Sequence, residues 1–154
     1  MLFRSFQHPR RVDLGRARAL AAVAPAPAVR VGVFVDETVD DIRRAIEAAS
    51  LDALQLHRPL TTADLELPRG IFAVVSVGRG AFAVPPEEDL TRCRALLFDS
   101  SSGGSGVPFD WSRVDAGSSP VPVLLAGGLT AENVGRAIGK IGRASCRERV
   151  SNCV

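Results

Sequence analysis

The chain has 154 residues, 46% of them hydrophobic and 23% charged, a composition that suits one globular domain with a sizeable core. No apolar run approaches the ~18 residues needed to span a bilayer, and disorder, collagen, coiled coil and a disulfide scaffold all fit poorly. The formal net charge of +2 comes from residues 141–154, where Arg143, Arg147 and Arg149 face only Glu148, so the rest is balanced and carries no excess that would call for nucleic acid.

In chain order, Leu14, Ala17, Leu20 and Ala21 form an apolar stripe between arginines and predict a first helix. Val29-Arg30-Val31-Gly32-Val33-Phe34-Val35 is short, apolar and β-branched, and reads as a strand buried on both faces. Thr38 and Asp41 have capping-box spacing ahead of Val39, Ile42, Ile46 and Ala49, which recur at helical intervals. Further strands are expected at Ala53–Leu56, Ile71–Val75, Ala95–Phe98 with Asp99 at its end, and Val121–Ala126. Pro85-Pro86-Glu87-Glu88-Asp89-Leu90 resembles a helix start, with proline and acids in the first turn. Thr130 is placed to cap a last helix carrying Val134, Ala137 and Ile138.

Strands separated by helical or loop crossovers imply an α/β fold with a parallel sheet, either open and doubly wound or closed as a (β/α)₈ barrel. No GxGxxG follows the first strand, no GxxxxGK[ST] loop occurs, and no His/Cys/Asp group has metal-ligand spacing. Cys93 is the only cysteine ahead of Cys146 and Cys153, and the absence of CxxC suits a reducing cytoplasm.

In both parallel architectures ligands sit beyond the carboxyl ends of the strands. Those ends carry His57, Asp99 with Ser100, and Gly127-Gly128. A carboxyl group closing an apolar strand is partly desolvated, and so suited to hold a proton and act as an acid; the alternative is that Asp99 caps the next turn. Gly127-Gly128 either brings bare amides to a phosphate or makes a tight turn with no ligand. His57 either lines a pocket or lies on the surface, and Arg10 is one candidate for a carboxylate.

Taken together, His8-Pro9-Arg10-Arg11-Val12, Leu54-Gln55-Leu56-His57, Leu96-Leu97-Phe98-Asp99-Ser100, Gly103-Gly104-Ser105-Gly106-Val107-Pro108-Phe109-Asp110-Trp111 and Leu124-Leu125-Ala126-Gly127-Gly128-Leu129-Thr130-Ala131-Glu132-Asn133-Val134 resemble the phosphoribosylanthranilate isomerase family of tryptophan biosynthesis. The paired motifs GGSGxxFDW and LAGGLxxENV carry most of the specificity. The resemblance implies a (β/α)₈ TIM barrel of the ribulose-phosphate-binding type. It also implies an aldose–ketose isomerisation, an intramolecular oxidoreduction, with no metal or cofactor. In it Asp99 is the general acid, Arg10 binds the anthranilate carboxylate, and Gly127 and Gly128 bind the phosphate. Gly103 and Gly104 belong to the covering loop, and His57 lines the pocket.

The match also has departures. The family's first-strand KxCG motif, which holds its general base, does not occur, and Cys93 precedes a strand at the opposite end of the sheet. Leu2-Phe3 matches the end of the family's second strand, and no eighth strand follows, so a partial barrel over residues 1–140 is expected. That piece would be inactive and poorly folded alone, with five strands and a stub where the family has eight. Residues 141–154 resemble a translated sequencing adapter and are read as a non-native tail. His8 stands where the family has Ser, and Arg58 where Gly follows the histidine. Two alternatives are another phosphate-binding barrel sugar isomerase, which would show half-barrel duplication, and a non-catalytic α/β binding module. The expected partner is a phosphorylated small molecule, with no nucleic acid and no membrane; the oligomeric state is left open.

Overall fold

The computed structural model describes residues 11–77, 83–100 and 109–141. The tail from residue 142 onward, Arg10, and Gly103 and Gly104 of the glycine-rich loop lie outside the described residues.

Five strands form one parallel sheet: β1 (Val31–Phe34), β2 (Ala53–Leu56), β3 (Gly70–Val77), β4 (Ala95–Ser100) and β5 (Val123–Ala126). Each strand pairs with its neighbours in sequence, in the order β1-β2-β3-β4-β5. That order separates the two architectures left open by the sequence. A doubly wound sheet reverses its strand order at a switch point and places helices on both faces. This sheet advances in one direction only. Right-handed crossovers then put every intervening helix on one face, which is how a (β/α) barrel is wound.

The strand alternation shows the two faces. Ile71, Ala73 and Val75 of β3, Leu96 and Phe98 of β4, and Leu54 and Leu56 of β2 belong to the large core shared with the helices. Successive side chains alternate, so Phe72, Val74 and Ser76, Gln55 and Asp99 point to the other face. A smaller cluster of Val74, Leu97 and Ala126, with Leu124 against it, lies there. The strands are therefore buried on both sides, in keeping with their near-continuous apolar character.

Helix α2 (Val39–Ala49) explains its own position. Thr38 Oγ1 accepts the Asp41 N–H at 3.2 Å, and Asp41 Oδ2 accepts the Thr38 N–H at 3.3 Å, which closes the capping box. Ile42, Ala45, Ile46 and Ala49 then form one buried stripe, each large side chain contributing ~1.5–3 kcal/mol of burial. Ser50 ends the helix in the left-handed region at φ 46°.

Helix α1 (Leu14–Ala22) exists, capped by Asp13, but its stripe is not the buried face that the sequence predicts. Only Ala17 is buried, while Leu14 and Leu20 are 39% and 43% exposed. The nine-residue helix packs Ala17 and, in part, Ala21 on the core beside α2. The first strand is also shorter than predicted, because Val29 is exposed and Arg30 is drawn to Asp52. Two short helices, α3 (Thr62–Leu65) and α4 (Glu87–Leu90), and a 3-10 turn at Trp111–Arg113 lie in the later described crossovers, and α5 (Val134–Ile141) follows β5. Thr130 does not cap α5 directly; a turn through Asn133 comes first, and the helix begins at Val134. No helix among the described residues is long and apolar enough to cross a membrane.

Candidate active site

The carboxyl ends of β2, β4 and β5 bring the candidate residues to one rim of the sheet. His57 follows β2 directly, and its backbone N–H donates to the Phe34 carbonyl at 2.8 Å, which extends the ladder one residue beyond the strand. The Gln55 side chain, two residues earlier on the same face, brings Nε2 to 2.6 Å from His57 Nε2. Gln55 is 6% exposed and carries no charge, so it has to find its hydrogen bonds within the protein.

Arg58, the next residue, points into a closed network. Its NH1 and NH2 reach the two oxygens of Asp64 at 2.6 Å each. Asp64 has no exposed side-chain surface and also accepts the Thr61 N–H at 2.8 Å and the Thr61 hydroxyl at 2.7 Å. Burial pushes the Asp64 carboxyl up, but the Arg58 and Thr61 bonds outweigh it and hold the group below its ordinary value. The pair fixes the β2–α3 connection from the residue next to His57.

Asp99 lies in β4, paired in register with Ser76 of β3 and Ala126 of β5. Beyond β5 come Gly127 at φ 83° and Gly128 at φ 68°, both in the left-handed region. The first is crowded as well as turned. A Cβ added at Gly127 would fall 2.7 Å from Asp99 Oδ1 and nearer still to Ser100 Oγ. The glycine turn and the candidate acid thus share one small volume. Asn133 staples this turn: its Nδ2 donates to the Gly128 carbonyl at 2.8 Å, and its Oδ1 accepts the Thr130 N–H at 2.8 Å. Asn133 is 9% exposed. Its supporting position follows only from the folded turn, since the sequence gives no sign that its amide closes on a carbonyl five residues back.

The structure therefore brings Asp99, Gly127 and Gly128 together. His57 stands two strand positions away, across β3, at a separation on the order of 10 Å. Cys93 is buried at the amino end, before β4, and burial pushes its thiol up, both of which disqualify it as a base at this rim. Among the described residues no group of three or more His, Cys, Asp or Glu side chains is arranged to hold a metal ion.

A singly wound parallel sheet of this order defines a (β/α)-barrel type of scaffold. The family model for N-(5'-phosphoribosyl)anthranilate (PRA) isomerase matches residues 4–146, and the chain belongs to that family. It is 39% identical over 142 residues to the isomerase of Chromohalobacter salexigens, covering 86% of this chain and 64% of that protein. It is 36% identical over 130 residues to that of Streptococcus gordonii, covering 84% and 64%. The chain thus spans a little under two thirds of these relatives. Among solved structures, the Thermotoga maritima isomerase aligns with a TM-score of 0.72 at 28% identity, over 95% of this chain and 74% of that one. An isomerase crystallised with reduced 1-(o-carboxyphenylamino)-1-deoxyribulose 5-phosphate aligns at 0.70 and 25% identity, over 96% and 73%. The Thermus thermophilus isomerase, at 24% identity, supports the fold with a TM-score of 0.76, over 96% and 74%.

Proposed function

We propose that this chain is the part of a phosphoribosylanthranilate isomerase that carries the general acid. The reaction is the Amadori rearrangement of N-(5-phosphoribosyl)anthranilate to 1-(2-carboxyphenylamino)-1-deoxyribulose 5-phosphate. Asp99 gives a proton to the ribose ring oxygen. The C1–O bond breaks as the nitrogen lone pair forms C=N, and loss of the C2 proton then leads through the enol to the ketone. Gly127 and Gly128 offer backbone amides to the phosphate, where glycine allows the closest approach. His57 lines the pocket, Arg10 meets the anthranilate carboxylate as a planar fork, and Gly103 and Gly104 belong to the loop that covers the site. The reaction needs no metal or cofactor, its setting is the cytoplasm, and the ligand is a phosphorylated small molecule.

The observation that carries this reading is the close approach of the Gly127 turn to Asp99, which leaves no room for a Cβ. An acid for the ring oxygen and an anchor for the phosphate must be held at a fixed separation for one substrate to meet both. The test is Asp99→Asn in an isomerase that carries this segment. Loss of a positioned acid is expected to lower turnover by ~10²–10⁴-fold. Turnover equal to that of the unaltered enzyme would remove Asp99 from the mechanism.

A further inference from the structure

We infer that Asn133 is a positioning residue for the phosphate: its side-chain amide holds the peptide groups behind Gly127-Gly128 in one orientation, so that the glycine N–H groups are set before the ligand arrives. That the ligand carries a phosphate rests on the isomerase reading; the clamp itself does not.

The orientation of the Asn133 amide follows from its partners. A carbonyl oxygen can only accept, and a backbone N–H can only donate. The atom 2.8 Å from the Gly128 carbonyl is therefore the nitrogen, and the atom 2.8 Å from the Thr130 N–H is the oxygen. Turning the amide over would break both bonds. The residue that carries it is firmly mounted. Its own N–H donates to the Thr130 carbonyl at 3.2 Å, and its carbonyl accepts from Arg136 at 3.1 Å and Ala137 at 3.2 Å, at the start of α5. At 9% exposed, Asn133 is screened from water that would compete for these partners. Neither side-chain bond serves α5. A helix cap accepts from the N–H groups of the first turn, whereas both bonds run back toward the glycines, one of them five residues.

The two bonds fix more backbone than they touch. A peptide group is planar, so binding the Gly128 carbonyl sets the whole 128–129 unit, and binding the Thr130 N–H sets the 129–130 unit. On the other side, Ala126 is held in register with Asp99 on β4. Only Gly127 and Gly128 lie between these two fixed ends, at φ 83° and 68°. Glycine has the most backbone freedom to lose. An untethered pair would have to be ordered by the ligand, at a cost to affinity. Tethered at both ends, the pair is ordered already. Among the described residues neither glycine N–H donates a hydrogen bond, which leaves both available to an anion.

The test uses an isomerase that carries this segment and two competing probes: inorganic phosphate, and anthranilate, which bears the carboxylate and no phosphate. Asn133→Ala removes both side-chain bonds. Asn133→Asp keeps the size and the acceptor but has no donor for the Gly128 carbonyl. Both variants should bind inorganic phosphate about tenfold more weakly and raise KM alike, the worth of one or two neutral hydrogen bonds. Anthranilate binding and kcat should stay within about twofold, as expected when only binding is lost. Unchanged phosphate affinity in both variants overturns the inference. So does an equal loss for phosphate, anthranilate and kcat, which is what a merely structural role would give. If neither variant folds, amide relaxation on the unaltered isomerase decides. With no phosphate added, Gly127 and Gly128 should be as ordered as β5, with order parameters of about 0.85, and values below about 0.6 overturn the clamp. Added inorganic phosphate should then shift both glycine amide signals. Ordered glycines that do not respond to it would instead reject the phosphate reading and leave the clamp standing.

Discussion

The two ends of the sheet treat aspartates in opposite ways. At the amino end, Asp52 sits one residue before β2 and is clasped by Arg30, with Nε at 2.9 Å, NH2 at 3.1 Å and the backbone N–H at 2.8 Å. Those Arg30 bonds hold the carboxyl down at about 2. Neighbouring arginines are also used there as ties: Arg69 donates to the Leu51 carbonyl at 2.6 Å, and Arg94 lies over the Phe72 ring. At the carboxyl end, Asp99 lies in strand register between Ser76 and Ala126 and beside a glycine where a Cβ would not fit. Charge pairing makes Asp52 a structural anion, whereas the Asp99 oxygen stands where a glycine turn leaves it room. Stability at one end and chemistry at the other is the usual division in a parallel barrel.

The sharpest challenge to that division is at Asp64, because this ion pair lies at the carboxyl end and is the most buried one described. Asp64→Ala would leave the Arg58 guanidinium, 18% exposed, without its anion. In an isomerase that carries this segment, the expected loss is about 3–5 kcal/mol in urea unfolding, the cost of breaking a buried pair from one side. The double variant Arg58→Met, Asp64→Ala should recover most of it, since no charge is then stranded. A loss below about 1 kcal/mol would mean that solvent reaches this pair, as it does a surface pair.

A smaller effect on stability, with a larger one on function, is expected at Gly127. Gly127→Ala forces an alanine to φ 83° and drives its methyl toward Asp99 and Ser100. Strain of this kind costs about 1–3 kcal/mol. The Asp99 oxygen must also move, so turnover of an isomerase carrying the change should fall further than the melt implies. Gly135, in α5 with open space around its Cβ position, is the control. There Gly→Ala should stabilise by up to ~1 kcal/mol and leave turnover alone. Equal behaviour of the two variants would dissolve the link between the glycine turn and the acid.

Much of this was legible in the chain. Periodicity located all five strands, and the Thr38–Asp41 spacing located a helix start, because both signals are local. The end of β4 pointed to Asp99 for the same reason. Sheet order was not legible in the periodicity, since the pattern is the same in an open and a closed parallel sheet; only the family resemblance pointed to the barrel, and the pairing bears it out. The exposure of Leu14 and Leu20 was not legible either, because an apolar stripe does not say how much partner surface is available to cover it. Asn133 escaped as an individual residue because its role comes from side-chain contacts made only in the folded turn. Arg58 was read as a departure from the family pattern, and its partner Asp64 emerges only when the β2–α3 connection folds back on itself.

The finest test concerns the amino end and uses pH. Asp52 titrates at about 2 in the folded protein, against ~3.9 in an unfolded chain. A carboxyl whose value is lowered by folding contributes stability that is complete above the unfolded value and is lost as pH falls through the folded one. The urea midpoint of an isomerase that carries this segment should therefore drop between about pH 4 and about pH 2. Asp41, Asp110 and Asp115 are lowered too and push the same way, so the absolute slope does not isolate Asp52. The difference from Arg30→Gln does. That variant should begin slightly less stable at about pH 6 and lose less on acidification, so that the two curves approach each other near the bottom of the range. They should not quite meet at about pH 2, where the Arg30-paired carboxylate is still half ionised, and the variant keeps a slope of its own because the residue 30 N–H still donates to the carboxylate. With 33% and 39% of these side chains exposed, the gap should be small and should shrink further in about 1 M salt. Parallel curves would show that Arg30 does not set the charge of Asp52, and the contrast between the two ends of the sheet would then rest on geometry alone.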